Sequence, residues 1–254
     1  MKKIFLITSI IILIITSCND KKNIDNNNFQ INVTVDKVSD GTKAILKKQI
    51  DRKITNIDTA VVKNGKFSFE GNIKEPVIFG IFIDSIKRGG IFPFIGLNDK
   101  VTVIAYKDSL IKSKITGSNL HDELTRLRNM RKELSDQTQQ YLPEFKKANE
   151  AKDTVTMNRI NKEVKKISNE MSENDWAYVK SHPDSYISPL VFNGLMTNPS
   201  YKDSVKIVFN NFSETIKKSD LAKPIREYFD SLDKQNNKSN NENKIKQRKK
   251  IETH

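Results

Sequence analysis

The residue types that most often perform chemistry are sparse in this 254-residue chain. It contains one cysteine, Cys18, so neither an intramolecular disulfide nor a redox-active pair of cysteines can form within it. The three histidines, His121, His182 and His254, are too widely spaced to predict a metal site on their own. The sequence therefore predicts no catalytic residue, no cofactor and no metal ligand.

The one residue with a predicted modification is Cys18. Two lysines precede an apolar run from Ile4 to Ile15, which has the length of a signal peptide and is short for a permanent membrane span. The sequence from Ile15 to Cys18 resembles the lipobox of bacterial lipoproteins, in which the cysteine is acylated, for instance with palmitate, and becomes the first mature residue. We therefore expect a signal peptide over residues 1–17 and lipidation at Cys18. The alternative is an ordinary secretory signal with a chance cysteine.

Two polar segments flank the part of the chain that could build a core. Residues 18–28 contain a single aliphatic residue, which predicts a disordered tether. Residues 233–254 contain two aliphatic residues, with seven lysines and arginines against three acids. This composition predicts a disordered Lys/Asn-rich tail, for which contact with an anionic membrane surface is an alternative role.

The net charge of +13 raises the question of nucleic-acid binding. Only eight of the 44 basic residues are arginine, however, and arginine is the residue that forms bidentate contacts with phosphates and base edges. The joint abundance of Asn, Ile and Lys indicates a coding bias instead. We expect no nucleic-acid partner.

Residues 29–117 have the pattern of an antiparallel β domain. Seven or eight short segments of alternating or continuous apolar residues are separated by turn signals, which predicts a β-sandwich or an open barrel. Val77 to Ile83 is almost continuously apolar, as in a strand buried on both faces. Ile91 to Leu97 is predicted to be another strand. The phenylalanines could form a ligand platform, but their strand spacing favours a role in the core.

The dipeptide Asn64-Gly65 is predicted to form a type I′ hairpin turn, because both central positions of that turn need a positive φ. After the turn, Phe67 and Phe69 alternate with Ser68 and Glu70, so one face of the following strand should be buried.

Residues 118–232 are predicted to be helical, with a long helical hairpin. Ser118 is a candidate N-cap for the first helix, which Pro143 should kink or end, and Asp153 or Thr154 begins the second. Ser188 is predicted to be the N-cap of a further helix with proline at its first position. Trp176 and Tyr178 could form a binding patch, but their helical spacing favours packing.

The stretch from Asp58 to Gly71 resembles the hallmark hairpin of a domain of unknown function, number 4369, which typically follows a lipobox. Residues 115–119, 182–188 and 225–232 are similar as well, so the resemblance covers about residues 29–232. In larger members of the family this module precedes a thioredoxin-like domain, as in thiol–disulfide interchange lipoproteins of the cell envelope. The resemblance implies such a domain after about residue 235. Here the Lys/Asn-rich tail stands in its place, without a matching active-site cysteine.

These observations together predict a non-catalytic, membrane-anchored lipoprotein of the bacterial cell envelope that acts as a binding or accessory module with a protein partner. The expected location is the outer membrane, facing the periplasm. The alternative is a partner subunit of a separate thioredoxin-like thiol–disulfide oxidoreductase. A hydrolase or isomerase built on a carboxylate pair is a further class, but no two acids have a sequence context beyond a helix surface or a turn.

Overall fold

The computed structural model describes residues 27–50, 53–87 and 89–235. In this part of the chain an open sandwich of two four-stranded sheets is followed by a set of helices, which confirms the predicted α+β fold class. The predicted signal peptide, Cys18, nearly all of the predicted tether and residues 236–254 of the predicted tail lie outside the described residues.

Eight strands are found within the described residues: β1 (Asn28–Val35), β2 (Lys43–Ile50), β3 (Lys53–Val61), β4 (Lys66–Asn72), β5 (Val77–Ile83), β6 (Phe94–Ile95), β7 (Lys100–Ala105) and β8 (Lys114–Thr116). The first sheet has the order β4-β1-β7-β8, and the second sheet has the order β3-β2-β5-β6. All neighbouring strands are antiparallel except β1 and β7, which are parallel. The fold is thus an antiparallel sandwich with one parallel pair.

The sandwich core lies between the two sheets. Alternate residues of β1 and β7 face it, and Ile31, Val101 and Val103 are completely buried. Strand β5 supplies Phe79 and Ile81 from the opposite sheet. This alternation is what the sequence pattern predicts for sheets with one covered face.

The predicted type I′ turn is confirmed, but the strands on its two sides separate. Asn64 and Gly65 have φ values of 51° and 67°, and the backbones of Lys63 and Lys66 bond each other across the turn. Beyond that bridge, β3 pairs with β2 in the second sheet whereas β4 pairs with β1 in the first. The turn therefore connects the two layers of the sandwich. Phe67 and Phe69 are buried as predicted, against β1.

The strand predicted over Ile91 to Leu97 is much shorter in the structure. Only Phe94 and Ile95 form β6, and Ile91 makes an isolated bridge to Ile81. Pro93, between them, has no N–H group to donate to a ladder, which explains the interruption.

Seven α-helices lie within the described residues: α1 (Asn119–Gln139), α2 (Leu142–Glu150), α3 (Thr154–Ser181), α4 (Ser188–Asn193), α5 (Val205–Asn210), α6 (Glu214–Lys218) and α7 (223–235). Helices α1 and α3 form the predicted long hairpin, with α2 between them in sequence. The ion pair between Arg131 and Asp175, 2.8 Å, joins α1 to α3. Residues 233–235 are helical although the composition predicted a disordered tail from residue 233, because they continue α7. Lys206 pairs with Asp233 at 2.9 Å.

The predicted helix starts are confirmed at two of three places. The Ser118 hydroxyl accepts the His121 N–H, and the Asp153 carboxylate accepts the Thr156 N–H. The prediction that Ser188 is an N-cap is wrong. Its backbone is already helical, and its hydroxyl donates to the His182 carbonyl instead.

The helices have a core of their own, and it includes part of the second sheet. Phe192, Ile216 and Ile225 are almost completely buried in it, together with Phe94 of β6. Ile78 of β5 packs against the same cluster. The outer face of the second sheet is therefore covered by helices at this end. No helix in the described ranges is both long and apolar enough to cross a membrane.

Candidate ligand-binding cleft

A cleft of about 920 Å³ opens where the helices leave the outer face of the second sheet. The sheet side is formed by β2, β3 and β5 and by the segment around Phe92. The opposite side comes from α4, the 3₁₀ turn Asp220–Ala222 and the start of α7. The volume lies within the range of roughly 300–1,000 Å³ that ligand pockets occupy.

Two phenylalanine rings form the floor of this cleft. Phe82 and Phe92 are 6.0 Å apart between centroids and nearly perpendicular, at 84°. They lie directly on two glycines: a Cβ atom at Gly80 or Gly90 would come within 3.2 Å of both rings. Phe92 is 48% exposed. The glycines therefore seat the rings close to the backbone and leave apolar surface facing the cleft.

A lysine extends over this floor. The Lys47 ammonium nitrogen lies 4.8 Å from the centroid of the Phe82 ring, at a distance where a cation–π interaction is favourable. Nearby, Gln49 of β2 and Asn193 at the end of α4 line the cleft from its two sides. Within the described part of the chain, neither side-chain amide makes a hydrogen bond. The floor is thus apolar, and the Lys47 ammonium and two amides lie beside it.

Two acidic residues that are 145 positions apart in the sequence meet at one end of the cleft. The Asp220 backbone N–H donates to the Glu75 carboxylate at 2.8 Å, and Lys48 lies 3.5 Å from the Asp220 carboxylate. Burial raises the pKa of Glu75, and the neighbouring Asp220 charge raises it further. The hydrogen bond from the Asp220 N–H and, to a smaller extent, the Lys48 ammonium lower this pKa.

This arrangement has two chemical capacities. The floor and its surrounding amides can bind a ligand with an apolar part. Glu75 can hold its proton to a higher pH than an isolated glutamic acid would, because its pKa is raised by burial. Among the described residues, no three His, Cys, Asp or Glu side chains gather closely enough to hold a metal ion.

Next to the cleft, a buried contact joins the second sheet to α1. The Ser118 hydroxyl donates to the Phe94 carbonyl at 2.6 Å, and the Phe94 N–H points to His121 Nδ1 at 3.4 Å. Burial lowers the pKa of His121, and Arg128 lowers it further. A neutral ring suits this position, because Nδ1 must be unprotonated to accept the Phe94 N–H. His121 therefore supports the contact between strand and helix.

A second groove of about 430 Å³ lies between α1 and α3. The Tyr178 hydroxyl donates to the Glu123 carboxylate, and burial raises the pKa of the tyrosine. The Tyr178 ring stacks on His182 at 4.3 Å, and Trp176 stacks on Tyr201 at the same distance. Trp176 and Tyr178 are both partly buried against the helical core, which agrees with the predicted packing role. The hydrogen bond and the two ring stacks thus already connect the polar and aromatic side chains around this groove.

The sequence-predicted site residue, Cys18, and the third histidine, His254, lie outside the described residues. His121 lies in the first turn of α1 and His182 is the C-cap of α3, and they take part in the two separate contacts described above. Sequence reasoning missed Glu75 and Asp220 because neither has a local motif. The sequence pattern predicted a core role for the phenylalanines as a group. This prediction is correct for Phe79 but wrong for Phe92, which is exposed.

Comparison with known proteins shows a match for one part of the chain. No curated protein and no solved structure matches it. The family match begins in β1 and ends at Leu124, in the second turn of α1, so it includes Ser118 and His121. Residues 29–124 match the family described as Domain of unknown function (DUF4369).

Proposed function

We propose that the protein is a non-catalytic, lipid-anchored binding module of the bacterial cell envelope and that the cleft beside Phe82 and Phe92 is its binding site. The observation that carries the proposal is the cleft itself, with its exposed aromatic floor seated on glycines. An exposed apolar surface of this kind, bordered by polar side chains, is typical of a site that binds a partner.

The lipid anchor is supported by the order of lysines, apolar run and lipobox-like sequence that ends at Cys18. Intact mass of the chain extracted from membranes should show an N-terminal, acylated Cys18. The Cys18→Ser variant should lose the lipid and leave the membrane fraction. A mature chain that begins at another residue would contradict this part of the proposal.

The binding role can be tested by site-specific photocross-linking in envelopes. A photoreactive phenylalanine at position 49, inside the cleft, should cross-link one defined partner, and the Phe92→Ser substitution should abolish that product. The matched control places the same group at Lys43, which lies on the same strand outside the cleft. Equal yields of the same cross-linked product from both positions would show that the product comes from random collisions and not from binding in the cleft. Recovery of a thioredoxin-like lipoprotein specifically from position 49 would support the role as partner of a separate oxidoreductase.

Cysteine chemistry argues specifically against thiol–disulfide exchange. Thiol–disulfide exchange needs a free thiolate and normally a second thiol to resolve the mixed disulfide. The chain has one cysteine, and lipidation would occupy its sulfur. The purified protein should therefore neither reduce insulin disulfides nor accelerate the refolding of a scrambled disulfide substrate. Turnover above a buffer control in either assay would overturn this.

The meeting of Glu75 with Asp220 favours a second candidate function, acid–base chemistry on a ligand in the same cleft. A raised pKa is what a carboxyl group needs to act as a general acid. Hydrolysis of a panel of chromogenic glycosides and esters would test it. Activity that Glu75→Gln abolishes while the melting temperature is kept would favour this function. No turnover on the panel would leave the binding module as the better proposal.

A further inference from the structure

We propose that the cleft binds an extended polypeptide segment that carries a large apolar residue two positions away from an aspartate or glutamate. The inference deepens the proposed function, since it rests on the cleft being the binding site and names the chemistry of its ligand.

The apolar part of the ligand is assigned to the floor. Phe92, which is 48% exposed, leaves ring surface open to the cleft beside the partly buried Phe82, and the side chain of Ile54 on β3 extends the apolar wall with 71% exposure. A large aliphatic or aromatic side chain laid against the two rings would bury this surface. Such burial removes apolar surface from water and therefore favours binding.

The acidic residue is assigned to Lys47. Its ammonium contacts the Phe82 ring, whereas Lys48 next to it is already paired with Asp220. A carboxylate on the ligand would therefore meet a cation that no described acid neutralises, immediately beside the ring pair. In an extended chain, residues i and i+2 point to the same side. The apolar and acidic side chains are therefore expected two positions apart.

The amides distinguish a polypeptide from a lipid. Gln49 and Asn193 approach the cleft from opposite sides, and each offers both a donor and an acceptor. This is the pattern that a peptide backbone, with its N–H and C=O groups, can satisfy. An acyl chain could use the rings and Lys47 but would gain no hydrogen bond from these two amides, which are exposed and would stay bonded to water. The observations thus favour a polypeptide over an anionic amphiphile.

The test uses a random peptide display library selected on the full-length protein, with the affinities of synthetic copies measured by fluorescence anisotropy. Enriched peptides should combine a large apolar residue with Asp or Glu two positions away. Lys47→Glu and Phe92→Ser should each weaken binding by at least about tenfold. The matched control is Lys43→Glu, which makes the same charge change on the same face of β2 outside the cleft, and it should change the affinity less than about twofold.

Three outcomes would overturn the inference: no enriched peptide, enriched peptides without acidic residues, or affinities unaffected by Lys47→Glu and Phe92→Ser. Dodecyl phosphate is the probe for the competing ligand class. If it binds in a Phe92-dependent manner and no peptide does, the cleft is a site for amphiphiles. Because both substituted residues line an open surface, circular dichroism should show an unchanged fold. A specific cross-link at position 49 without any acidic–apolar peptide would keep the proposed binding module and reject only this ligand class.

Discussion

The second sheet meets the helices in two ways, and the two contacts lie only a few residues apart. At the closed junction, defined by Phe94, Ser118 and His121, the sheet and α1 share a buried core and two hydrogen bonds. At the cleft, defined by Phe82, Phe92 and Lys47, the same sheet face remains open. Phe92 and Phe94 illustrate the difference, since one is half exposed and the other is completely buried.

This contrast indicates that the open surface does not arise from a loose fold. The neighbouring junction satisfies its polar groups and excludes water, so the same elements are able to pack closely. At the cleft, Gly80 and Gly90 allow the two rings to lie against the backbone, because a Cβ atom at either position would come within 3.2 Å of both rings. The junction can therefore position the cleft without taking part in binding.

The largest expected effect separates the two phenylalanines. Phe94→Ala should reduce the free energy of unfolding by about 3–5 kcal/mol, because it opens a cavity in the shared core. Phe92→Ala removes a ring that is half exposed and should cost about 1 kcal/mol or less. Urea unfolding of both variants measures the difference. Similar losses would mean that the cleft floor is part of the structural core, and the comparison would fail.

A turn outside both contacts provides a reference for these losses in the free energy of unfolding. Gly65→Val should cost about 1–3 kcal/mol, because valine is strained at a φ of 67° and its Cβ would lie 2.9 Å from the Val35 carbonyl oxygen. Gly41→Val is the matched control, since Gly41 also has a positive φ but has no heavy atom within 4 Å of the added Cβ. Its loss should be smaller. An unchanged melting temperature for Gly65→Val would contradict the turn type.

The hydrogen bonds of the junction should have a measurable effect of their own. Ser118→Ala removes a helix N-cap and also the donor to the Phe94 carbonyl, so we expect a loss of about 2 kcal/mol. Ser213→Ala, at the N-cap of α6, removes a cap alone and should cost about 1 kcal/mol. Chemical denaturation of the two variants gives the difference. Equal losses would show that the contact with Phe94 contributes nothing beyond the cap.

The features that sequence could predict are those with local causes. The φ requirement of Asn64-Gly65, the caps at Ser118 and Asp153 and the alternation around Phe67 each depend on a few neighbouring residues. The sheet partners of β3 and β4 depend on residues far away, and so does the parallel pairing of β1 with β7. For the same reason the sequence predicts the apolar strand β5 but does not predict which part of that strand the helices leave uncovered.

The candidate site was less predictable still. Glu75 lies in a bend between β4 and β5, Asp220 begins a short 3₁₀ turn, and only the docking of the helices on the sheet brings them together. Lys47 is one of many lysines in the chain. Its position over Phe82 follows from the register of β2 against β5, which no local pattern encodes.

The smallest expected effect concerns pH, and it has opposite signs in the two contacts. At the junction, burial lowers the pKa of His121, so its contribution to stability is present above the ordinary value of 6.5 and is lost as the pH falls. At the cleft, burial and Asp220 raise the pKa of Glu75, so the folded state holds its proton more tightly than the unfolded chain does. The stabilising contribution of Glu75 is therefore complete below the ordinary value of 4.5 and is lost as the pH rises through the raised pKa.

Glu75→Gln tests this sign. Glutamine can still accept the Asp220 N–H but carries no charge, so the variant should be slightly more stable than the parent chain at pH 7 and equally stable below about pH 4. Urea midpoints measured from pH 3.5 to pH 8 would show the two curves converging on the acid side. Glu70→Gln, on the exposed face of β4, is the control and should follow the parent chain throughout. A less stable Glu75→Gln variant at pH 7 would mean that attraction by Lys48 exceeds the cost of burial. The Glu75 carboxylate would then be a structural ion-pair partner. This result would remove the observation that favours acid–base chemistry in the cleft.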